Sequence, residues 1–364
     1  MSKGQVTISD VAGRAGVSKA TVSAVLNDKG TVRDATRDRV VAAIRALNYR
    51  PRSTVGLPRA GECRSLGLLI KEVDNPYYSE IVAGIRAYGR QRGYAVVVAS
   101  SEGEAAAEQE ATELLRRQGV AGLVVTPVLD SDADLSHLFE LNRRNFPFVL
   151  LEQIRGLRAS LVDVENVEAS RSAVEHLIQQ GHTRIVHFAG PSYSMHSEER
   201  IDGVHRAFSR SSLVFSDDAI VPAGAHLEDG YRTGLAYFRD RDGPDRPTAV
   251  TCYNDLVALG LIRALTELGL TVPADVSVIG FDNLAILPYI GFPLTTVHVP
   301  KVEMGERATE MLIRRIEARE ALPPERVFFE AMLVARGSTQ PPGDVRRPSG
   351  GRSAPTARAD GTAA

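Results

Sequence analysis

The sequence predicts a small N-terminal all-α head followed by an α/β body of two lobes, each built on a parallel sheet. Three observations lead there. A chain of 364 residues is longer than one hydrophobic core usually covers. Charge is segregated: residues 1–65 hold twelve Lys/Arg and five Asp/Glu, a net +7, which leaves −9 for the rest. From about residue 65 onward, short continuous apolar runs alternate with amphipathic helical stretches. That rhythm is the signature of buried parallel strands joined by right-handed helical crossovers.

The head opens with "VTISDVAGRAGVSKATVSAVLN", Val6 to Asn27. Thr7 can cap a first helix, with Asp10 as its capping-box-like partner. Ile8, Val11, Ala12 and Ala15 share one face of that helix. Gly16 makes the turn, and Ser18 caps a second helix whose inner face is Val22, Val25 and Leu26. A third helix spans about Asp34 to Leu47, with Val40, Ala43, Ile44 and Leu47 turned inward. None of these helices can bury much alone; pooled, their faces make one small core.

Two helices joined by a tight Gly turn, on a basic block, form a helix-turn-helix pattern suited to the major groove of double-stranded DNA. Lys19, Ala20, Ser23 and Ala24 point outward from the second helix. Lys19 can donate to guanine, and Ala20 and Ala24 can meet a thymine methyl. Thr7, Ser18, Thr21 and Asn27 are the residue types that hold phosphates and fix register.

"RPRSTVGLPRAGECR" (50–64) reads as a linker rich in Pro, Gly and Arg. Beyond it, "SLGLLIKEV", "YAVVVAS", "GLVVT" and "PFVLLE" are strands separated by helices at Pro76–Gly93, Ala105–Gln118 and Ala133–Arg144. Helix Val167–Gln180, strand "RIVHFAG", helix Ser197–Ser211, strand "AIVPA" and helix Leu227–Arg239 follow. Then come strand "AVTCYN", helix Asp255–Leu268, strand "VSVIGFD" and helix Lys301–Arg319, and a single strand-like "RVFFEAMLV" closes the body. The expected division is a head at 1–50, a linker at 51–64, a first lobe of 65–164 with 296–320, and a second of 165–295 with 321–336. A Pro/Gly/Ser-rich tail at 337–364 is expected to be disordered.

In open parallel sheets, ligands sit beyond the carboxyl ends of the strands. Asp74, Asn75, Asn254, Asp255, Asp282 and Asn283 fall there, and Arg200 lies early in a helix after such an end. Charged and amide groups in a cleft can bind hydroxyls through charge-assisted hydrogen bonds, and Tyr77 and Tyr78 can stack on a sugar or base face. The structural alternative is that Asp255 caps its helix and Asp282 merely ends a strand.

These motifs together resemble the LacI/GalR family of bacterial transcription regulators. "VTISDVAGRAGVSKATVSAVLN" with "TRDRVVAAIRALNYRP" is similar to the family's head. "DNPYYSEIVAGI", "EHLIQQGHTRIVHFAG", "ERIDGVHRAF", "YNDLVALGLIRALTELGLTVPADVSVIGFDN", "LTTV" and "RGST" follow in the family's order as far as residue 339. The resemblance implies a periplasmic-binding-protein-like body that holds a small effector between its lobes. A sugar is the expected effector, with a nucleobase or other non-sugar ligand as the alternative. It implies a homodimer on a pseudo-palindromic operator. It assigns Arg200, Asn254 and Asp282 to the effector pocket, with Tyr77 and Tyr78 at its rim.

Two positions depart from the pattern. Ala24 stands where the lactose repressor has a base-reading Arg, which alters operator preference. In the linker, Pro58 stands where the family places a Leu that wedges into the minor groove, with Gly56 two residues before it. An interior Pro costs a helix about 3 kcal/mol and Gly about 1. A weak or truncated hinge helix is therefore expected, with Leu57 as the wedge.

Several functions are excluded by what the sequence lacks. No apolar run approaches the roughly 20 residues of a membrane helix, and Met1 to Gln5 leads straight into a capped helix without a signal-peptide core. A cytoplasmic protein without membrane contact is the expectation, and Cys63 and Cys252 read as inert thiols in a reducing compartment. His176, His182, His187, His196 and His205 show no metal-ligand spacing. With no phosphate loop, nucleophile elbow or zinc motif, neither an enzyme nor a cofactor is expected. A solute receptor sharing the body would lack the basic head.

Overall fold

The computed structural model describes residues 7–26, 32–47, 65–130, 133–318 and 320–343. The chain divides into two compact units, residues 1–63 and residues 64–364. Asn27, Leu57, the expected hinge helix and residues 344–364 lie outside the described residues, as do the side chains of Ile8 and Leu26.

In the first unit, α1 is Ile8–Ala15, α2 is Lys19–Leu26 and α3 is Asp34–Ala46. The Thr7 backbone N and Oγ1 both donate to Asp10 Oδ2 at 2.7 Å, which secures the first turn of α1. Gly16 ends the helix at φ +65°, a left-handed conformation that a Cβ would strain. Thr21 N donates to Ser18 Oγ at 3.1 Å, so Ser18 caps α2. Val11, Ala12, Ala15, Val22, Val25, Val40 and Ala43 form the core, with Ile44 and Leu47 packed against it. Small residues at 12 and 15 let α1 lie close to its neighbours.

The second unit opens with β1 (Ser65–Ile70), α4 (Pro76–Gln91), β2 (Ala95–Ser100), α5 (Ala105–Arg117), β3 (Leu123–Val125), α6 (Ser136–Arg143), β4 (Phe148–Leu150) and β5 (Ser160–Val164). It continues with α7 (Asn166–Gln179), β6 (Ile185–Ala189), α8 (Met195–Ser209), β7 (Ile220–Pro222), α9 (Leu227–Phe238), β8 (Ala249–Cys252), α10 (Asp255–Glu267) and β9 (Ser277–Asp282). It closes with β10 (Thr295–His298), α11 (Lys301–Glu317), β11 (Arg326–Phe329) and β12 (Met332–Val334). One sheet runs β11-β5-β4-β3-β1-β2, with every neighbouring pair parallel. The other runs β12-β10-β9-β8-β6-β7, parallel except where β12 meets β10. The inner strands are buried on both faces because helices cover each sheet, whereas the edge strands β2, β7, β11 and β12 are only partly covered. In the first lobe α4 lies on α11 at glycine contacts: a Cβ on Gly84 would stand 2.0 Å from the Val302 carbonyl oxygen.

Four expectations are corrected. "RVFFEAMLV" is two strands, not one: β11 pairs with β5 in the first sheet, and β12 pairs with β10 in the second. The lobe boundaries move accordingly, because β10 belongs to the second sheet and β11 to the first. Strand β5 ("SLVDV") and strand β10 ("TTVH") complete sheets that apolar runs alone left short. Residues 337–343 are part of the second lobe rather than a disordered tail. Ser338 is fully buried, accepting from Thr295 N at 2.7 Å and donating to the Val278 carbonyl at 2.6 Å. Its hydroxyl joins two strands, which composition could not reveal.

Candidate functional site

In the head, Ser18, Lys19 and Ala20 lie toward solvent, and Thr21, Ser23 and Ala24 are half-buried along α2. Thr7 is exposed at the start of α1. The side chains expected to meet DNA therefore lie on and around one short helix whose opposite face, Val22 and Val25, is buried.

In the body, the C-terminal ends of strands from both sheets enclose a cleft of about 180 Å³. Tyr77, Tyr78, Arg200, Asn254 and Asp282 all line it. Asn75 accepts from Tyr77 N at 3.0 Å and caps α4, with Pro76 as its first residue. That cap sets the two tyrosines edge to face, centroids 5.3 Å apart. Burial raises both phenols well above their ordinary range.

Arg200 is buried on α8. Its guanidinium stands 3.6 Å from the Phe281 ring centroid and 4.7 Å from that of Tyr253. Nε donates to Asn166 Oδ1 at 3.1 Å, and Nη1 donates to the Tyr253 carbonyl. Two rings and two acceptors fix the plane of the fork, which Lys could not reproduce. Asp282 ends β9 with φ +112°, and its carboxylate accepts no hydrogen bond from a described residue. The loop behind it is held by Lys301, whose Nζ donates to the carbonyls of Asp282 (2.5 Å), Val299 (3.2 Å) and Asn283 (3.3 Å).

Asn254 is committed elsewhere. Its Oδ1 accepts from Val257 N at 2.8 Å, capping α10, and its Nδ2 donates to the Ala225 carbonyl at 2.8 Å. The helix cap is thus Asn254, not Asp255. Asp255 instead lies fully buried beneath the cleft, accepting from Thr296 Oγ1 at 2.6 Å and Leu284 N at 2.9 Å. Burial, then the neighbouring Asp282 carboxylate, pushes Asp255 up to about 8. Burial pushes Asp282 up to about 6 against the pull of Arg200, Lys301 and His196.

The cleft also holds residues that were not singled out. Lys71 Nζ lies 2.6 Å from Glu152 Oε2, and Ser194 Oγ donates from the other lobe to Glu152 Oε1 at 2.9 Å. Burial would raise Glu152, but Lys71 and His196 hold it down at about 2. His196 Nε2 lies 2.8 Å from Asp163 Oδ1. Burial lowers its pKa, yet the Asp163 and Glu152 carboxylates lift it to about 9, so the ring is cationic at neutral pH. Lys71 and Glu152 follow the apolar runs of β1 and β4 directly, the same placement that pointed to Asp282. His196 lay in a helix start whose polar text gave no such cue.

Residues 7–52 match the model of the bacterial regulatory proteins of the lacI family, and 174–339 match that of the periplasmic binding protein-like domain. An HTH-type transcriptional repressor PurR of Photobacterium profundum is 32% identical over 339 residues, covering 92% of this chain and 98% of that repressor. The chain belongs to the LacI family. Among solved structures, the lac repressor dimer bound to operator and the anti-inducer ONPF superposes with a TM-score of 0.70 at 29% identity, covering 92% of this chain and 99% of that one. The transcriptional regulator CelR–cellobiose complex gives 0.67 at 28% identity, with the same coverage.

This LacI-family chain is a DNA-binding regulator, and the relatives it matches are transcriptional repressors rather than enzymes. Its two lobes are the family's periplasmic-binding-protein-like body, and no helix among the described residues is long and apolar enough to cross a membrane.

Proposed function

We propose that this LacI-family repressor binds a pseudo-palindromic operator as a homodimer and is switched by a small flat polar ligand of the nucleobase class held between its lobes. The cleft's uncommitted groups carry this reading. Asp282 offers a free carboxylate, while Lys71 Nζ, His196 Nδ1 and Arg200 Nη2 offer donors with no further acceptor among the described residues. Tyr77 and Tyr78 add an aromatic rim. A heterocycle with ring N–H and acceptor atoms on its edge and a π-face for stacking suits that set. Kinship with repressors named PurR supports a non-sugar effector over the sugar first expected. A sugar remains the second reading, favoured by the cellobiose-bound structural relative. The ligand controls DNA affinity through its different affinities for two arrangements of the lobes.

The test is a thermal-shift screen of adenine, guanine, hypoxanthine, xanthine, uracil and cytosine beside ribose, galactose and cellobiose. A ligand at a hundredfold its Kd adds about 2.7 kcal/mol, a shift of several degrees. Each hit is then tested for its effect on binding to an inverted-repeat duplex. A nucleobase that shifts both supports the proposal. Sugars alone shifting both would establish the second reading, and no shift by any compound would defeat the effector role of the cleft.

A further inference from the structure

Glu108 is the fourth residue of α5 and fully buried, with no Lys or Arg within ion-pair distance among the described residues. A carboxylate there costs desolvation energy that a Leu would not. What it holds is backbone and a neighbouring helix. Oε2 accepts from Val128 N at 2.5 Å, and Oε1 lies 2.9 Å from His137 Nε2. Val128 sits near the start of the connection between β3 and α6, and His137 is the second residue of α6. One side chain therefore ties both ends of that connection to α5. The same connection supplies Thr126, Val128, Leu129 and Asp130 to the cleft. Its base is secured separately, where Thr126 N and Oγ1 donate to the Leu69 carbonyl at 2.9 and 3.1 Å.

We propose that Glu108 is a positioning residue for effector binding: paired with His137, it fixes Val128 and so sets the first-lobe wall of the cleft. This role rests on the effector reading given above. Val128 is itself buried, so without Glu108 its N–H would be an orphan donor and the connection would rearrange to satisfy it. Ligand-facing groups work only when their support is rigid, and here that support comes from one helix behind the wall.

The full-length protein carries the test. Glu108→Leu should weaken binding of the nucleobases in the panel at least tenfold by titration calorimetry. It should also speed hydrogen exchange at the Val128 amide at least tenfold, leaving ligand-free operator affinity within twofold. Glu108→Gln should restore both to within about threefold of wild type, because its oxygen can still accept from Val128 and its amide can donate to His137. If the Leu variant does not fold, His137→Phe substitutes for it, with both quantities moving severalfold. Altered thermal stability with unchanged affinity overturns the proposal, and so does weaker affinity with unchanged Val128 exchange. Failure of every nucleobase to bind wild type defeats the effector reading and this role with it. An unaffected affinity in the variant, for a compound that does bind, defeats this proposal alone.

Discussion

Replacing Asp255 by Asn should remove a pH dependence from the stability of the body. Asp255 is completely buried, and both oxygens are used: Oδ2 by Leu284 N at 2.9 Å and Oδ1 by the Thr296 hydroxyl at 2.6 Å. Burial, with Asp282 beside it, raises its pKa from 3.8 to about 8. The folded chain thus keeps a proton that the unfolded chain gives up near 3.8. The stabilisation is complete below that value and is lost as pH rises to about 8, at about 1.4 kcal/mol per pH unit. From pH 5 to pH 7 the loss is about 3 kcal/mol. Asparagine reproduces the protonated acid: its oxygen takes Leu284 N–H, and its NH₂ donates to the Thr296 oxygen. Urea unfolding of both proteins at pH 5, 6 and 7 measures the effect. The variant's advantage over wild type should grow by about 2–3 kcal/mol from pH 5 to pH 7. His196 titrates in both proteins and largely cancels in the difference, whereas Asp282 interacts with Asp255 and its titration forms part of that difference. A difference constant to within about 0.5 kcal/mol across the range would refute the reasoning. Asp255→Ala is the control; it leaves two buried groups unpaired and should destabilise at every pH.

Three other outcomes are expected. Arg200→Lys loses the planar fork over Phe281 and leaves Asn166 or the Tyr253 carbonyl without its donor. It should cost about 2 kcal/mol in urea unfolding and about tenfold in effector affinity by calorimetry. Lys19→Ala removes an exposed cation from α2 and should weaken operator binding by about 1–3 kcal/mol, with relaxed preference at one base pair. Gel shifts across half-site variants measure this, and a uniform loss would assign Lys19 to phosphate instead. Gly84→Ala places a Cβ 2.0 Å from the Val302 carbonyl and should destabilise the first lobe by about 3 kcal/mol in thermal unfolding, despite alanine's better helix propensity.

The readable part of the site followed one local rule: polar residues that end apolar strands face the ligand space of a parallel sheet. Asp282 obeys it, and so do Lys71 and Glu152, which the same rule could have found. Asn254 obeys it in position but not in role, because a residue just before a helix can spend its amide on the cap. Glu108 and Asp163 were illegible: a single acid on an otherwise ordinary helix or strand says nothing about the backbone amide or imidazole that waits for it.

By itself the sequence determined the head, with its Gly16 turn and segregated charge, and the alternation of strands and helices in the body. These are local properties, set by side-chain periodicity, caps and glycine freedom within a few residues. The tertiary structure alone decided which sheet each late strand joins, and that Ser338 closes the second lobe. It likewise decided that Lys71, Glu152 and Ser194 meet across the cleft. Those outcomes depend on partners dozens to hundreds of residues away. Short apolar segments look alike along the chain and differ only in the edge, charge or hydrogen-bonding group they find when it folds.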